Sequence, residues 1–136
     1  MGLLMEVTKI HVLVIEKNPI ISNRLISLIQ GVPEVDKVIF ADTFKKAYRI
    51  LQNCKIHIVS LGIKVSDTNI LELLAVCKYE QQCTLFILAE DLQDRYKLQY
   101  EYLEIKYWLD KARDFDMIPQ LISQIANELN PAQKLI

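Results

Sequence analysis

Five short apolar runs, each followed by a segment with helical periodicity, constrain this chain more than any other feature of its sequence. The runs cover residues 10–15, 37–40, 56–61, 84–89 and 105–109. Helices are predicted from Pro19 to a stop at Gly31-Val32-Pro33, after Thr43, and over about 69–79, 92–103 and 116–129. Because parallel strands need right-handed helical crossovers, the alternation predicts one doubly wound α/β domain, a five-stranded parallel sheet with helices on both faces.

Local signals support these elements. Asn18 and Thr43 are good N-caps, and a proline is tolerated in the first turn of a helix. Gly62 follows the third run, and residues 62–68 are predicted to be a loop. In the first helix, the residues spaced to share a buried face are Ile20, Leu25, Leu28 and Ile29.

Composition excludes several classes of protein. The 136 residues carry a net charge of −1 with no basic block, so no nucleic-acid surface is expected. The apolar runs are far shorter than the ~20 residues of a membrane span, and no membrane contact is expected. Three cysteines without metal-like spacing, Cys54, Cys77 and Cys83, indicate reduced thiols and a cytoplasmic protein. We expect an extension over 1–9, a domain over 10–130 and a tail over 131–136.

A site in such a fold is expected where the strands end, outside their carboxyl ends. The turn after the first run has none of the glycines of a dinucleotide or phosphate loop. His11 and His57 lie early in their runs, at the opposite end, and are predicted to be structural. No enzyme activity is therefore expected. The residues that follow the runs are Glu16, Lys17, Ala41, Asp42, Gly62, Ala89, Glu90, Asp110 and Lys111.

Four segments, in order, resemble the receiver domain of bacterial response regulators, and the likeness extends over about residues 9–130. Residues 12–19 resemble the first strand with its acidic pair, and 57–64 the third strand with the phosphoacceptor turn. Residues 85–90 resemble the fourth strand with its hydroxyl position, and 107–111 the fifth strand with its aromatic and lysine positions. The resemblance implies a flavodoxin-like (βα)5 fold with strand order 2-1-3-4-5.

The family's phosphorylation residues are mostly missing at the matching positions. Gly62 stands where the acceptor aspartate is expected, Glu16-Lys17 where the acidic pair is, and Ala89 where the hydroxyl is; Lys111 is retained. The resemblance thus implies a degenerate pocket that holds no Mg²⁺ and no other cofactor. Its charge of about +1 disfavours a cation, and Glu16 is expected to pair with Lys111 or Lys17. One alternative is that the pocket binds a small anion. Another is that position 62 is a glycine only because the backbone there needs conformational freedom.

Aromatic residues mark a candidate contact surface. Trp108 matches the family's switch position, and we expect it to be fixed because Ala89 lacks the hydroxyl that the switch follows. The face formed by the helix over 92–103, the fifth strand and the last helix serves the family for dimers and partners. The tyrosines predicted on or beside this face are Tyr96, Tyr100, Tyr102 and Tyr107.

These observations favour a pseudo-receiver, a phosphorylation-independent module for protein–protein interaction in bacterial two-component signalling. Its partner would be a signalling protein or a second copy of the chain. One alternative is an active receiver with a displaced acceptor such as Asp67, which is otherwise expected to be a solvated turn residue. Another is an unrelated flavodoxin-like domain that binds a ligand.

Overall fold

The computed structural model describes residues 9–63, 70–90 and 105–129. Its strands are β1 (Ile10–Ile15), β2 (Val35–Ala41), β3 (Ile58–Ile63), β4 (Thr84–Ala89) and β5 (Tyr107–Asp110). Its helices are α1 (Pro19–Gln30), α2 (Phe44–Asn53), α3 (Ile70–Ala75, continued by a π-helical turn over Val76–Glu80) and α4 (Ile118–Leu129, preceded by a 3₁₀ turn over Phe115–Met117). All strand pairs are parallel and the order is β2-β1-β3-β4-β5, which confirms the predicted fold class.

The sheet separates two hydrophobic cores, because successive side chains of a strand point to opposite faces. In β1, Leu13 and Ile15 pack on the face covered by α2 and α3. Val12 and Val14 pack on the other face, under α1 and α4. The central strands are therefore apolar on both sides, which is why they appear in the sequence as continuous apolar runs.

The end of β3 differs from the prediction. The strand continues to Ile63, so Gly62 lies inside it and not in a loop. Gly62 pairs with Leu88 and Ile63 with Ala89 along the whole of β4. A glycine is a common loop signal, but here the ladder to a buried neighbouring strand outweighs its weak strand propensity.

The start of α1 confirms the predicted cap and corrects one core residue. The Asn18 side chain accepts hydrogen bonds from the backbone N–H groups of Ile20 and Ile21. Leu25 and Ile29 are buried as predicted, and Leu28 is partly buried. Ile20, however, is 79% exposed, because it lies on the side of α1 opposite to the face on which Ser22, Leu25 and Ile29 are buried. Thr43 caps α2 through its hydroxyl, as predicted.

Several predictions lie outside the described residues. These are the helix over 92–103 with Tyr96, Tyr100 and Tyr102, the candidate acceptor Asp67, and the segments 1–8 and 130–136. Among the residues that are described, no helix is both long and apolar enough to cross a membrane.

Candidate functional site

Parallel pairing brings four of the predicted site residues to one edge of the sheet. Glu16 directly follows β1, Gly62 lies near the end of β3, and Ala89 ends β4. Lys111 directly follows β5, and its backbone N–H donates to the carbonyl of Ala89 (2.9 Å). The residues that the sequence placed after separate strands are thus neighbours in the fold.

A buried ion pair joins the first and last of these strand ends. Lys111 Nζ lies 3.1 Å from Glu16 Oε1, and the two side chains are only 8% and 4% exposed. The second carboxylate oxygen, Oε2, accepts the backbone N–H of Asn18 (3.0 Å). Oε2 is thus hydrogen-bonded, whereas Oε1 makes an ion pair with Lys111 that lacks hydrogen-bond geometry. Of the two partners predicted for Glu16, the structure selects Lys111.

Gly62 makes room for this carboxylate. A Cβ on Gly62 would lie 2.9 Å from the Glu16 carboxyl carbon and 3.3 Å from the carbonyl oxygen of Ile15, and it would overlap Glu16 Oε1. Its φ lies outside the left-handed region, so backbone freedom does not explain the glycine. The space above position 62 is occupied by the side chain of Glu16.

The turn that carries Lys111 is held by a reciprocal pair of aspartates, which sequence reasoning missed. Asp110 Oδ1 accepts the backbone N–H groups of Ala112 (2.7 Å) and Arg113 (3.0 Å). In return, Asp114 Oδ2 accepts the backbone N–H of Asp110 (2.8 Å). The spacing Asp-x-x-x-Asp at a strand end was the available signal. These bonds fix the backbone from which Lys111 reaches Glu16.

A cavity of about 340 Å³ opens beside the ion pair, between the start of α1 and the turn after β5. Glu16, Lys17, Glu90 and Lys111 all line it. The charge of +1 predicted for the pocket did not include Glu90. When Glu90 is included, the formal charges of the four residues sum to zero. Lys17 lies over the ring of Phe44, 5.4 Å from its centroid, which is cation–π distance.

The aromatic pair of β5 is divided between the two faces of the sheet. Trp108 packs against the core under α2 and α3, whereas Tyr107 packs against the core under α1 and α4. The Trp108 indole N–H donates to the carbonyl of Ile105 (3.2 Å). The two rings therefore do not form one continuous aromatic patch, although some part of each residue lines a groove between β5 and α4.

The histidines lie at the opposite edge, where they join β1 to the residue before β3. The backbone N–H of His11 donates to His57 Nδ1 (3.0 Å), and the backbone N–H of His57 donates to the carbonyl of His11 (2.9 Å). Burial lowers the pKa of His57, and the charges of His11 and Lys55 lower it further. Within residues 9–63, 70–90 and 105–129, no three His, Cys, Asp or Glu side chains are grouped as metal ligands would be.

Comparison with known proteins gives structural neighbours only. No protein-family model and no curated protein sequence matches the chain. A response regulator from Thermotoga maritima aligns with a TM-score of 0.73 at 15% identity, covering 87% of this chain and 98% of that one. A receiver domain of an HD domain-containing protein from Pseudomonas fluorescens aligns with a TM-score of 0.72 at 20% identity, covering 88% and 96%.

A third neighbour, a CheY-like receiver domain protein from Methanospirillum hungatei, aligns with a TM-score of 0.73 at 14% identity and covers 95% of this chain and 100% of its own. At these identities the likeness shows the fold alone. The chain therefore has the flavodoxin-like fold of response regulator receiver domains.

Proposed function

We propose that this chain is a pseudo-receiver that binds a protein partner and takes no phosphoryl group. The observation that carries the proposal is the Glu16 carboxylate, which lies above Gly62 and is paired with Lys111 inside the protein. Position 62 offers no carboxylate to phosphorylate, and the space in which one would stand is filled. On this proposal the chain is not an enzyme, needs no metal and works in the cytoplasm.

Electrostatics at the pocket support the same conclusion. Mg²⁺ is bound through carboxylates, waters and phosphate oxygens. Here the buried carboxylate of Glu16 is already neutralised by Lys111 at 3.1 Å. Ala89, at the end of β4, has no hydroxyl to hold a phosphoryl oxygen. A cation would have to displace Lys111 from a buried pair, which would leave an ammonium group without its partner.

Acetyl phosphate with Mg²⁺ tests the proposal directly. We expect the intact mass of the chain to stay unchanged after incubation. A stable acyl-phosphate adduct, mapped by borohydride reduction and peptide sequencing, would overturn the proposal. An adduct at Asp67 would establish instead an active receiver with a displaced acceptor.

Introducing an aspartate at position 62 alone should not make the chain a substrate for phosphorylation. Gly62→Asp puts a carboxylate where Glu16 already lies, and neither Lys17 nor Ala89 is changed. We expect no phosphorylation of this variant and a loss of stability. The comparison is the quadruple change Gly62→Asp, Glu16→Asp, Lys17→Asp and Ala89→Thr, which supplies all the missing groups. Labelling of the single variant as strong as that of the quadruple variant would show the pocket argument wrong.

The partner surface that we propose includes the groove between β5 and α4. The groove has a volume of about 350 Å³ and is bordered by Trp108, Leu109 and Met117. Met117 is half exposed there, and β5 is an edge of the described five-stranded sheet. An edge strand beside exposed apolar side chains offers both pairing groups and apolar area to a partner.

Self-association provides the first test of this surface. Met117→Lys should weaken any dimer seen by sedimentation velocity, because it puts a charge beside the groove. Tyr79→Lys is the matched control, since Tyr79 is also exposed, to a slightly greater extent, but lies in the π-helical turn after α3. If the control variant weakens the dimer and Met117→Lys does not, the groove is not the contact surface.

A further inference from the structure

The end of α3 turns back so that two cysteines become neighbours. The π-helical turn Val76–Glu80 is followed by Gln82, which has a left-handed backbone (φ 56°). This reversal lets the backbone N–H of Cys83 donate to the carbonyl of Cys77 (2.9 Å). This hydrogen bond brings the backbones of the two cysteines together, and a disulfide requires Cα atoms about 4.4–6.8 Å apart.

The two thiols differ in exposure. Cys77 is completely buried, whereas Cys83 is partly exposed, and its thiol donates to the carbonyl of Ile56 (3.3 Å). Both border a cavity of about 310 Å³, which Lys78 and Lys106 also line. The cavity lies where β4 and β5 begin, at the edge of the sheet opposite to Glu16 and Lys111. It gives a small reagent a route to Cys83.

The surroundings also divide the thiols by acidity. A hydrogen bond from the Cys77 thiol lowers the pKa of Cys83, and the charge of Lys55 adds to this against the opposing effect of burial. The same hydrogen bond and the burial of Cys77 raise the pKa of its own thiol. Cys83 is therefore the member of the pair that ionises first, and a thiolate is the nucleophilic form of cysteine.

We propose that Cys77 and Cys83 form an oxidisable dithiol that a hydroperoxide converts to a disulfide within the domain. The Cys83 thiolate attacks the terminal peroxide oxygen. An S–O bond forms, the O–O bond breaks, and the leaving oxygen takes a proton as water or an alcohol. Cys77 then attacks the sulfur of the Cys83 sulfenic acid, an S–S bond forms, and water leaves. Two electrons pass from the two sulfurs to the peroxide.

The test treats the reduced native chain with hydrogen peroxide, followed by denaturing alkylation and intact-mass measurement. We expect the loss of two hydrogens and the protection of two of the three thiols, with peptide mapping placing the link between Cys77 and Cys83. Cys54 is exposed and stays alkylatable. Three alkylated thiols after oxidation, or a link that uses Cys54, would overturn the proposal.

Variants assign the two roles. Cys77→Ser should leave a sulfenic acid at Cys83 that dimedone traps, and Cys83→Ser should lower the rate of peroxide consumption by on the order of tenfold. Cys54→Ser is the control and should oxidise like the unchanged chain. Faster loss of Cys77 than of Cys83 in the unchanged chain would reverse the roles and contradict the mechanism, and this measurement needs no variant to fold.

Discussion

At the scale of single residues, the described structure gives Gly62 a steric role. A glycine in a strand interior usually weakens the strand, yet Gly62 lies within β3 and pairs with Leu88 of β4. What requires it is the carboxylate of Glu16, which a Cβ at position 62 would overlap. The two residues therefore depend on each other, because the side chain of Glu16 occupies the space that a side chain at position 62 would need.

Gly62→Ala tests this coupling. The new methyl group must displace Glu16 from its buried pair with Lys111, and we expect a loss of about 1–3 kcal/mol in the free energy of unfolding. Gly31→Ala is the matched control, because a Cβ there meets only ordinary contacts at 3.5 Å and beyond. Urea unfolding measures both. Equal and small losses in the two variants would show that Glu16 does not require the glycine.

His57 carries the second prediction at this scale, a dependence of stability on pH. Its Nδ1 accepts the backbone N–H of His11, so the folded state needs the neutral ring, and burial lowers its pKa below the unfolded value of 6.5. Between these two pKa values the unfolded chain binds a proton that the folded chain does not. The contribution of neutral His57 to the free energy of unfolding is therefore complete above pH 6.5. It is lost as the pH falls through the pKa of His57 in the folded state.

Urea unfolding on either side of pH 6.5 measures this contribution. His57→Asn keeps an acceptor at the Nδ1 position but cannot titrate, and His11, Asp36 and Lys55 remain in both proteins. We expect the unchanged chain to lose more stability on acidification than the variant does. Parallel losses in the two proteins would assign the pH dependence to other groups.

At the scale of elements, the sequence predicts the bounds of a strand correctly where burial on both faces determines them. β1 and β4 begin and end where the apolar runs predict, since both are covered on both faces. The prediction was wrong where contacts with other elements determine the end of a strand or the exposure of a side chain. β3 runs on through Gly62 because β4 pairs with it, and Ile20 is exposed because it faces away from the buried side of α1. The position of Glu16 over Gly62 is likewise a contact between strands that no single segment encodes.

The start of α1 shows how an element end supports the site. Asn18 caps the helix with its side chain, while its own backbone N–H donates to Glu16 Oε2. The cap and the buried carboxylate thus hold one another in place. The sequence predicts that Glu16, directly after the first strand, belongs to the site. That Asn18 both caps α1 and donates a hydrogen bond to Glu16 follows only from the geometry.

Asn18→Ala removes the cap and keeps the backbone N–H that holds Glu16. We expect a loss of about 1 kcal/mol in the free energy of unfolding, the ordinary cost of an N-cap. Thr43→Ala removes the corresponding cap of α2, which has no link to Glu16. A loss for Asn18→Ala well above that for Thr43→Ala would show that the cap also positions Glu16; a loss near zero would contradict its role as a cap.

At the scale of the whole molecule, the proposed function predicts how the domain responds to Mg²⁺ from the balance of charge at the carboxyl edge of the sheet. The four charged residues that line the cavity sum to zero, and the buried carboxylate already has a cation. A ligand that binds only the folded state stabilises it by RT ln(1 + [L]/Kd), or about 1.4 kcal/mol at a tenfold excess over Kd. A metal site used at millimolar Mg²⁺ would therefore raise the melting temperature by several degrees.

We expect no such rise. The melting temperature of the unchanged chain should be the same in millimolar MgCl₂ as in NaCl of equal ionic strength, with or without acetyl phosphate. Glu90→Gln serves as the control for weak binding at the rim, because Glu90 is exposed and lines the same cavity. A rise of several degrees that survives Glu90→Gln would mean that Mg²⁺ displaces Lys111 from Glu16. The pocket would then be a working metal site, and the case for a pseudo-receiver would lose its electrostatic support.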